Sequence, residues 1–204
     1  MPKIDAIIFD IDGTLVDVSK SYREAIRLTA GDFLGRTVSK QEVDAVKSRP
    51  GFNNDWDATF ALVSKVSDPP SYQTVKNKFQ EYYLGSLINR EKLLVKASLL
   101  RRLAGRYALG IVTGRPRSEA LYVLKRLQII SCFRSNSIIC LEDTTVGKPD
   151  PSPLLLCQKR LRTKNCVYIG DSINDRLAAR SANLAFRLIG KKQSVNQIIK
   201  SLLK

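Results

Sequence analysis

The sequence predicts an α/β fold in which helices cover both faces of a Rossmann-like parallel sheet, with a small all-helical domain added. Three observations support this prediction. Short apolar runs rich in β-branched residues alternate with helical patterns of about ten residues, which is typical of βαβ units. Polar residues follow directly after several of these runs. Finally, a long helical segment separates the first run from the second.

Five apolar runs are the predicted strands. The first, Ile4–Phe9, is nearly continuous in apolar residues and ends at Asp10, as expected for a strand buried on both faces. The others are Tyr107–Thr113, Ser137–Leu141, Cys166–Gly170 and the weaker Asn183–Leu188.

Apolar residues recur at helical spacing just before the second predicted strand, between the later strands and after the last strand. Pro116–Leu127 begins with a proline, which suits the first turn of a helix, and places Ala120 and Leu124 on one face. The remaining predicted helices are Lys92–Leu103, Pro153–Leu161, Ile173–Ala182 and Ser194–Leu203.

The segment between the first two strands is far longer than a single crossover needs. It contains four helical patterns, namely Ser21–Leu34, Ser39–Lys47, Trp56–Lys65 and Ser71–Leu84, and a loop rich in Pro, Gly and Asn around residues 49–55. We therefore predict an α/β core domain of residues 1–18 and 90–204, with a helical domain of residues 19–89 inserted into it.

Composition excludes several kinds of active site. The 204 residues include no histidine, which excludes Ser-His-Asp and Cys-His nucleophilic sites and zinc sites with an imidazole ligand. The four cysteines show no Cys-x-x-Cys spacing, so buried free thiols in a reducing cytoplasm are the favoured interpretation. The sequence shows no secretory signal and no apolar run as long as a membrane helix, so we expect a cytoplasmic protein that does not bind a membrane.

The net charge of +15 is unevenly distributed along the chain. Residues 91–204 hold 22 basic and seven acidic residues, whereas residues 1–17 hold one basic and four acidic residues. This excess predicts either attraction of an anion, namely a phosphate ester, a nucleic acid or an anionic membrane surface, or a solvated basic surface that has no binding role. No basic stretch is interleaved with aromatic residues, which argues against a sequence-reading nucleic-acid domain.

Polar residues follow the predicted strands where ligands bind in open α/β sheets. Asp10 and Asp12 follow the first strand, Thr113 ends the second, and Asp171 follows the fourth. Lys148 lies in the Gly-Lys-Pro-Asp segment after the third strand. Carboxylates at this density, without His or Cys ligands, suit a hard cation such as Mg²⁺, and the lysine and threonine suit a phosphate group. The set is suited to phosphoryl transfer, with a carboxylate as the nucleophile.

Four segments resemble, in order, the four motifs of the haloacid dehalogenase superfamily of hydrolases. They are Phe-Asp-Ile-Asp-Gly-Thr-Leu-Val-Asp (9–17), Ile-Val-Thr-Gly (111–114), Gly-Lys-Pro-Asp (147–150) and Ile-Gly-Asp-Ser-Ile-Asn-Asp (169–175). The inserted helical segment resembles the cap domain of the first subfamily, which includes phosphoglycolate phosphatases.

The resemblance implies a phosphoric monoester hydrolase and a role for each matching residue. Asp10 would be the nucleophile and Asp12 the general acid and base. Thr113 and Gly114 would hold the phosphoryl oxygens, and Lys148 would neutralise their charge. The implied magnesium site consists of Asp10, Asp12 through its backbone carbonyl, and Asp171, with Asp175 either supporting the metal or orienting Lys148.

The substrate implied by the resemblance is a small phosphorylated metabolite, and several points stay open. A phosphomutase of the same fold is an alternative, as is a nucleic-acid-binding or polynucleotide phosphatase role suggested by the charge. Within the cap, Arg49 and Asn53 are predicted to bind the substrate, whereas Trp56 either joins them or packs the cap interior. Arg115 and Arg117 are predicted either to add positive field near the phosphate or to lie on the surface at the start of a helix. The sequence is compatible with a monomer or a dimer.

Overall fold

The computed structural model describes residues 4–52, 54–64 and 66–204. Two compact units are present, and their bounds differ by one or two residues from the predicted domain boundaries. The first unit comprises the chain up to Asp17 together with Lys92–Lys204, and the second unit comprises Val18–Glu91.

The strands and helices follow the order expected from the apolar pattern. The strands are β1 Ala6–Phe9, β2 Val16–Asp17, β3 Lys92–Leu93, β4 Ala108–Val112, β5 Ile138–Ile139, β6 Cys166–Gly170 and β7 Ala185–Leu188. The α-helices are α1 Tyr22–Leu34, α2 Lys40–Lys47, α3 Asp55–Val63, α4 Tyr72–Gly85, α5 Ala97–Ala104, α6 Arg117–Arg126, α7 Ser152–Leu161, α8 Ile173–Ser181 and α9 Val195–Leu202.

The first unit is built on a five-stranded sheet in the order β5-β4-β1-β6-β7, in which all neighbouring strands are parallel. All four residues of β1 are completely buried, which agrees with a central strand covered on both faces. The chain moves outward from β1 to β4 and β5 and then returns to β6 on the other side. This reversal makes the carboxyl end of β1 the switch point of the sheet, where a ligand-binding crevice is expected.

The interior beside β6 is apolar and contains cysteines. Cys157 and Cys166 belong to a buried cluster that also includes Leu154 and Tyr168. All four cysteines of the chain are buried and free, as predicted.

One predicted helix begins later than its leucine spacing suggested. Lys92 and Leu93 form β3 and pair antiparallel with Asp17 and Val16 of β2, so that α5 begins only at Ala97. Tertiary pairing with a distant segment overrides the local helical pattern here. The periodicity of the local sequence carries no information about that partner, so the strand could not be predicted from it.

The second unit is all-helical. A Ser39–Glu42 capping box begins α2, and the side chains of Asn54 and Ser71 cap α3 and α4. Inside the unit the ring of Tyr22 stacks on that of Tyr83, with centroids 4.1 Å apart.

The only tryptophan packs into this helical unit. Trp56 is 8% exposed, and the Lys76 ammonium lies 3.8 Å from the centroid of its ring. A salt bridge of 2.8 Å between Lys47 and Asp55 closes the loop between α2 and α3. These contacts give Trp56 the packing role that the sequence left open.

Within the described residues, no helix has both the length and the apolar character of a transmembrane span.

Candidate active site

The residues predicted to carry the chemistry meet at the carboxyl edge of the first unit's sheet. Asp10 follows β1 and Asp171 follows β6, its neighbour in the sheet. Thr113 follows β4 on the other side of β1. The backbone N–H of Asp10 donates to the carbonyl of Ile169, and that of Thr113 donates to Ile139, so the sheet ladder extends to both residues. Asp10, Thr113 and Asp171 therefore lie at the ends of three adjacent strands.

Lys148 is the centre of the buried part of the site. Its ammonium donates to Oδ1 of Asp10 at 2.8 Å and to Oδ1 of Asp175 at 2.6 Å. It also donates to the Tyr168 hydroxyl at 3.0 Å. Burial alone would lower the pKa of Lys148, but the two carboxylates outweigh this effect and raise it. Lys148 is therefore a fixed positive charge beside Asp10.

Asp175 is held in place by hydrogen bonds to both of its oxygens. Oδ1 accepts from Lys148 and from the Tyr168 hydroxyl at 2.6 Å, and Oδ2 accepts from the N–H and hydroxyl of Ser172. Burial would raise the pKa of Asp175, but Lys148 and these hydrogen bonds lower it. Every contact of this carboxylate is therefore suited to orienting Lys148.

Three carboxylates form a cluster. One oxygen from each of Asp10, Asp171 and Asp175 lies within 4.8 Å of the others. Burial raises the pKa of Asp10 well above its ordinary value, and neighbouring carboxylates add to the rise against the opposing effect of Lys148. The Asp171 side chain is exposed, but nearby protein atoms partly desolvate its carboxylate; this desolvation, followed by the charge of Asp175, raises its pKa to about 6. Among the described residues, the three carboxylates of the cluster thus face a single nearby cation, Lys148.

Two glycines permit this close packing. Gly13 has a φ of +71°, and a Cβ atom there would lie 1.9 Å from Oδ2 of Asp171. A Cβ atom on Gly170 would lie 2.6 Å from Cγ of Asp175. Any side chain at either position would displace a carboxylate of the cluster, which explains the glycines of the first and fourth motifs.

Thr113 and Asp12 lie beside this cluster. Thr113 is buried, and its Oγ1 accepts the Arg115 N–H at 3.2 Å, while the proton of its hydroxyl has no acceptor among the described residues. Helix α6 begins after Pro116 without a side-chain cap, so Thr113 does not have the N-cap role that a lone threonine there would suggest. The Asp12 carboxylate contacts Arg115 and lies outside the three-carboxylate cluster.

Sequence reasoning missed one residue of the site and left the place of another open. Tyr168 is completely buried on β6, and its hydroxyl links Lys148 to Asp175. A tyrosine in an otherwise apolar buried strand needs a partner for its hydroxyl, which is the signal that could have found it. Of the two alternatives for Arg115, the surface position is wrong, because the side chain is buried and paired with Asp12.

The cap residues predicted to bind substrate are placed only in part. Arg49 lies on the exposed turn after α2. Asn53 lies outside the described residues. Their predicted role therefore stays a prediction.

Residues 4–183 match the family model of the haloacid dehalogenase-like hydrolases. The chain belongs to this family. The family resemblance, the α/β fold and the enzyme class predicted from the sequence are therefore confirmed.

Relatives of this haloacid dehalogenase-like hydrolase support the assignment. The chain is 36% identical over 88% of its length to an imidazoleglycerol-phosphate dehydratase of Phytophthora nicotianae, but it spans only 42% of that longer protein. It is 29% identical to a phosphoglycolate phosphatase of Yersinia pseudotuberculosis, over 88% of this chain and 78% of the relative. Phosphatase Tt82 from Thermococcus thioreducens has a similar structure, with a TM-score of 0.78, 26% identity and coverage of 97% of this chain and 98% of that chain.

The carboxylate cluster of this hydrolase fits a hard divalent cation, the cofactor type general to the family. The cluster offers only oxygen ligands, and a cation between Asp10 and Asp171 would offset the carboxylate repulsion that helps to raise their pKa values. Asp10, Asp171 and Asp175 each place one oxygen close enough to share a cation, and Asp175 also accepts hydrogen bonds at both of its oxygens.

Replacing Asp171 with asparagine should stabilise the cation-free hydrolase. The folded-state pKa of about 6 lies above the ordinary value of 3.8, so the stability of the folded protein falls as the pH rises from about 3.8 to about 6 and stays reduced above that range. Below about pH 3.8 the carboxyl group is protonated in both the folded and the unfolded state, and the cost disappears. The Asp171 side chain is exposed, so solvent screens much of this cost, and we expect the melting temperature at neutral pH to rise by only about 2–4 °C, which corresponds to roughly 1 kcal/mol for a chain of this size.

The same variant should lose its response to Mg²⁺. Magnesium should raise the melting temperature of the unmodified protein and leave Asp171→Asn unchanged, since a ligand stabilises only the state that binds it. The exposed Asp68 provides a control, because Asp68→Asn should alter neither property. A retained response to Mg²⁺ in Asp171→Asn would show that Asp171 does not hold the cation.

Proposed function

We propose that this hydrolase is a Mg²⁺-dependent phosphatase of small phosphate monoesters that works through an aspartyl-phosphate on Asp10. The observation that carries the proposal is the packing of Asp10 against Lys148 at the switch point of the sheet. A buried nucleophilic carboxylate beside a fixed cation suits attack on a dianionic phosphate ester, because the lysine reduces the repulsion between them. The phosphatase names of two similar proteins point the same way.

In the first half of the reaction, an Asp10 carboxylate oxygen attacks phosphorus while the bond between phosphorus and the leaving oxygen breaks. Asp12 donates a proton to the leaving oxygen, which departs as an alcohol. The hydroxyl of Thr113 and the backbone N–H of Gly114 donate hydrogen bonds to the phosphoryl oxygens, and Lys148 balances their charge.

In the second half, Asp12 removes a proton from a water molecule as the water oxygen attacks phosphorus. The bond between phosphorus and Asp10 breaks, which releases inorganic phosphate and restores the Asp10 carboxylate. Asp10 and Asp171, with the backbone carbonyl of Asp12, would hold the Mg²⁺, which would supply positive charge that keeps Asp10 ionised.

The second unit is proposed to be the cap that selects the substrate. Its basic turn around Arg49 carries the positive charge that a polar or anionic leaving group would need. The relatives differ in the substrates that their names indicate, so the substrate class proposed here is the broad one of small phosphorylated metabolites.

A substrate panel tests this function. The panel contains phosphoglycolate, hexose phosphates, p-nitrophenyl phosphate and a 3′-phosphorylated oligonucleotide, and inorganic phosphate is measured with Mg²⁺ and with a chelator. We expect Mg²⁺-dependent release from the small esters at kcat/KM above about 10⁴ M⁻¹s⁻¹ for the preferred one.

The other outcomes of this panel contradict the proposal in separate ways. Isomer formation from hexose phosphates without phosphate release would identify a mutase. A preference for the oligonucleotide that weakens steeply with salt would identify a nucleic-acid substrate. Release that is unchanged by the chelator would exclude the cation.

A further inference from the structure

Arg115 has an unusual position for an arginine. It is only 2% exposed and is among the largest fully buried side chains of the described residues. It follows β4 and precedes α6, next to Thr113. Burying a guanidinium is costly unless its charge is paired, so its contacts should show what the side chain is for.

Two of the hydrogen bonds of Arg115 go to a single atom of Asp12. Nε of Arg115 donates to Oδ1 of Asp12 at 2.8 Å, and one terminal nitrogen of the guanidinium donates to the same oxygen. The other oxygen, Oδ2, takes no hydrogen bond from any residue that the structure describes. The Asp12 side chain is 29% exposed. A buried guanidinium thus holds one oxygen of a carboxylate that is itself partly exposed.

The backbone of Arg115 is itself held on both sides. Its N–H donates to Oγ1 of Thr113 at 3.2 Å, and its carbonyl accepts the N–H of Leu141 at 2.9 Å. A guanidinium that is planar, buried and carried on a fixed backbone restricts rotation of the carboxylate it holds.

We propose that Arg115 is a positioning residue that fixes the Asp12 carboxylate through Oδ1, so that proton transfer to the leaving group occurs at Oδ2. This role rests on the proposed function. As Asp10 bonds to phosphorus and the ester bond breaks, the proton on Oδ2 moves to the leaving oxygen, and Asp12 becomes a carboxylate. Such an orienting contact should affect the rate of proton transfer from Asp12. It should not affect binding of the phosphoryl group, which other residues hold.

The leaving group therefore distinguishes this role from a structural one. An alkoxide is a poor leaving group and needs the proton as the bond breaks, whereas p-nitrophenolate leaves well without it. The kcat/KM value reports the steps up to formation of the aspartyl-phosphate, so it isolates this proton transfer from the later hydrolysis.

The experiment compares kcat/KM for an alkyl phosphate and for p-nitrophenyl phosphate in Arg115→Lys and Arg115→Met. Lysine keeps the charge but lacks the planar pair of donors, and methionine removes both. We expect kcat/KM for the alkyl ester to fall about 10²-fold in both variants, and that for the aryl ester to stay within about threefold.

Arg117→Lys is the matched control, because the guanidinium of Arg117 contacts Asp143 and the carbonyl of Ile138 and makes no contact with Asp12. Circular dichroism and the melting temperature verify that each variant is folded. The control should keep the ratio of the two kcat/KM values found in the unmodified protein.

Equal losses for both esters would overturn the positioning role and indicate a structural one. A higher KM for both esters with unchanged kcat would overturn it in favour of phosphate binding. No loss for either ester would overturn it outright. Failure of the unmodified protein to hydrolyse either ester would reject the proposed function, and the role of Arg115 with it.

Discussion

Replacing Asp10 with asparagine should reduce phosphate release by at least about 10⁴-fold, the order of effect seen when a catalytic nucleophile is removed. Asparagine has nearly the same shape as aspartate and can still accept a hydrogen bond from Lys148. Its amide oxygen is a much weaker nucleophile towards phosphorus, so the first half of the reaction should stop. The measurement is steady-state release of phosphate from the preferred small ester with saturating Mg²⁺.

A matched control separates this loss from a general effect of removing negative charge. Asp150, in the third motif, accepts the N–H of Ser152 and lies outside the carboxylate cluster. Asp150→Asn keeps that acceptor and should retain nearly full activity. If Asp10→Asn kept more than a tenth of the activity, Asp10 would not be the nucleophile.

Acid quenching provides a direct view of the intermediate. During turnover of the unmodified protein, the peptide that contains Asp10 should gain the mass of one phosphoryl group. Asp10→Asn should show no such gain. A phosphoryl group found only on another peptide would contradict the assignment of Asp10.

Replacing Lys148 with methionine should destabilise the protein and also abolish its activity. The ammonium is buried between Asp10 and Asp175, and its removal leaves both carboxylates without their cation. Loss of one partner from a buried ion pair costs about 3–5 kcal/mol in unfolding free energy. That is a large part of the total stability of an ordinary domain, roughly 5–15 kcal/mol. Denaturant unfolding in the presence of a chelator measures the change.

A double variant separates the two effects of Lys148. In Lys148→Met/Asp175→Asn one of the uncompensated charges is also removed, so part of the lost stability should return while activity stays absent. The exposed Lys159 of α7 supplies the control, since Lys159→Met should change stability by less than about 0.5 kcal/mol. A Lys148→Met variant with unchanged stability would show that Lys148 is not needed to balance these carboxylates.

The arrangement of the site agrees with the uneven charge of the chain. The segment that carries Asp10 and Asp12 is acidic, and the large basic excess lies in residues 91–204. The basic excess would draw phosphate esters towards the protein, whereas the carboxylate cluster would repel them until cations balance it. Lys148 supplies one fixed positive charge, and the proposed Mg²⁺ supplies the remainder.

Much of the fold was predictable from the sequence because its signals are local. Four buried residues of β1 form one apolar run, and β6 has the predicted bounds Cys166–Gly170. Asp10, Asp171 and Lys148 could be placed together without coordinates, because the carboxyl ends of parallel strands share one edge of the sheet. The complete absence of histidine already limited the chemistry to carboxylates, hydroxyls, amines, thiols and backbone groups.

Only the tertiary structure decided what depends on contacts between distant segments. The pairing of β2 with β3, the hydroxyl of Tyr168 between Lys148 and Asp175, and the burial of Arg115 against Asp12 all join residues that have no local signal for each other. An arginine in a Gly-Arg-Pro turn has the same local sequence whether it faces solvent or a carboxylate. Its role is set by the packing of β1 beside β4, which brings Asp12 to it.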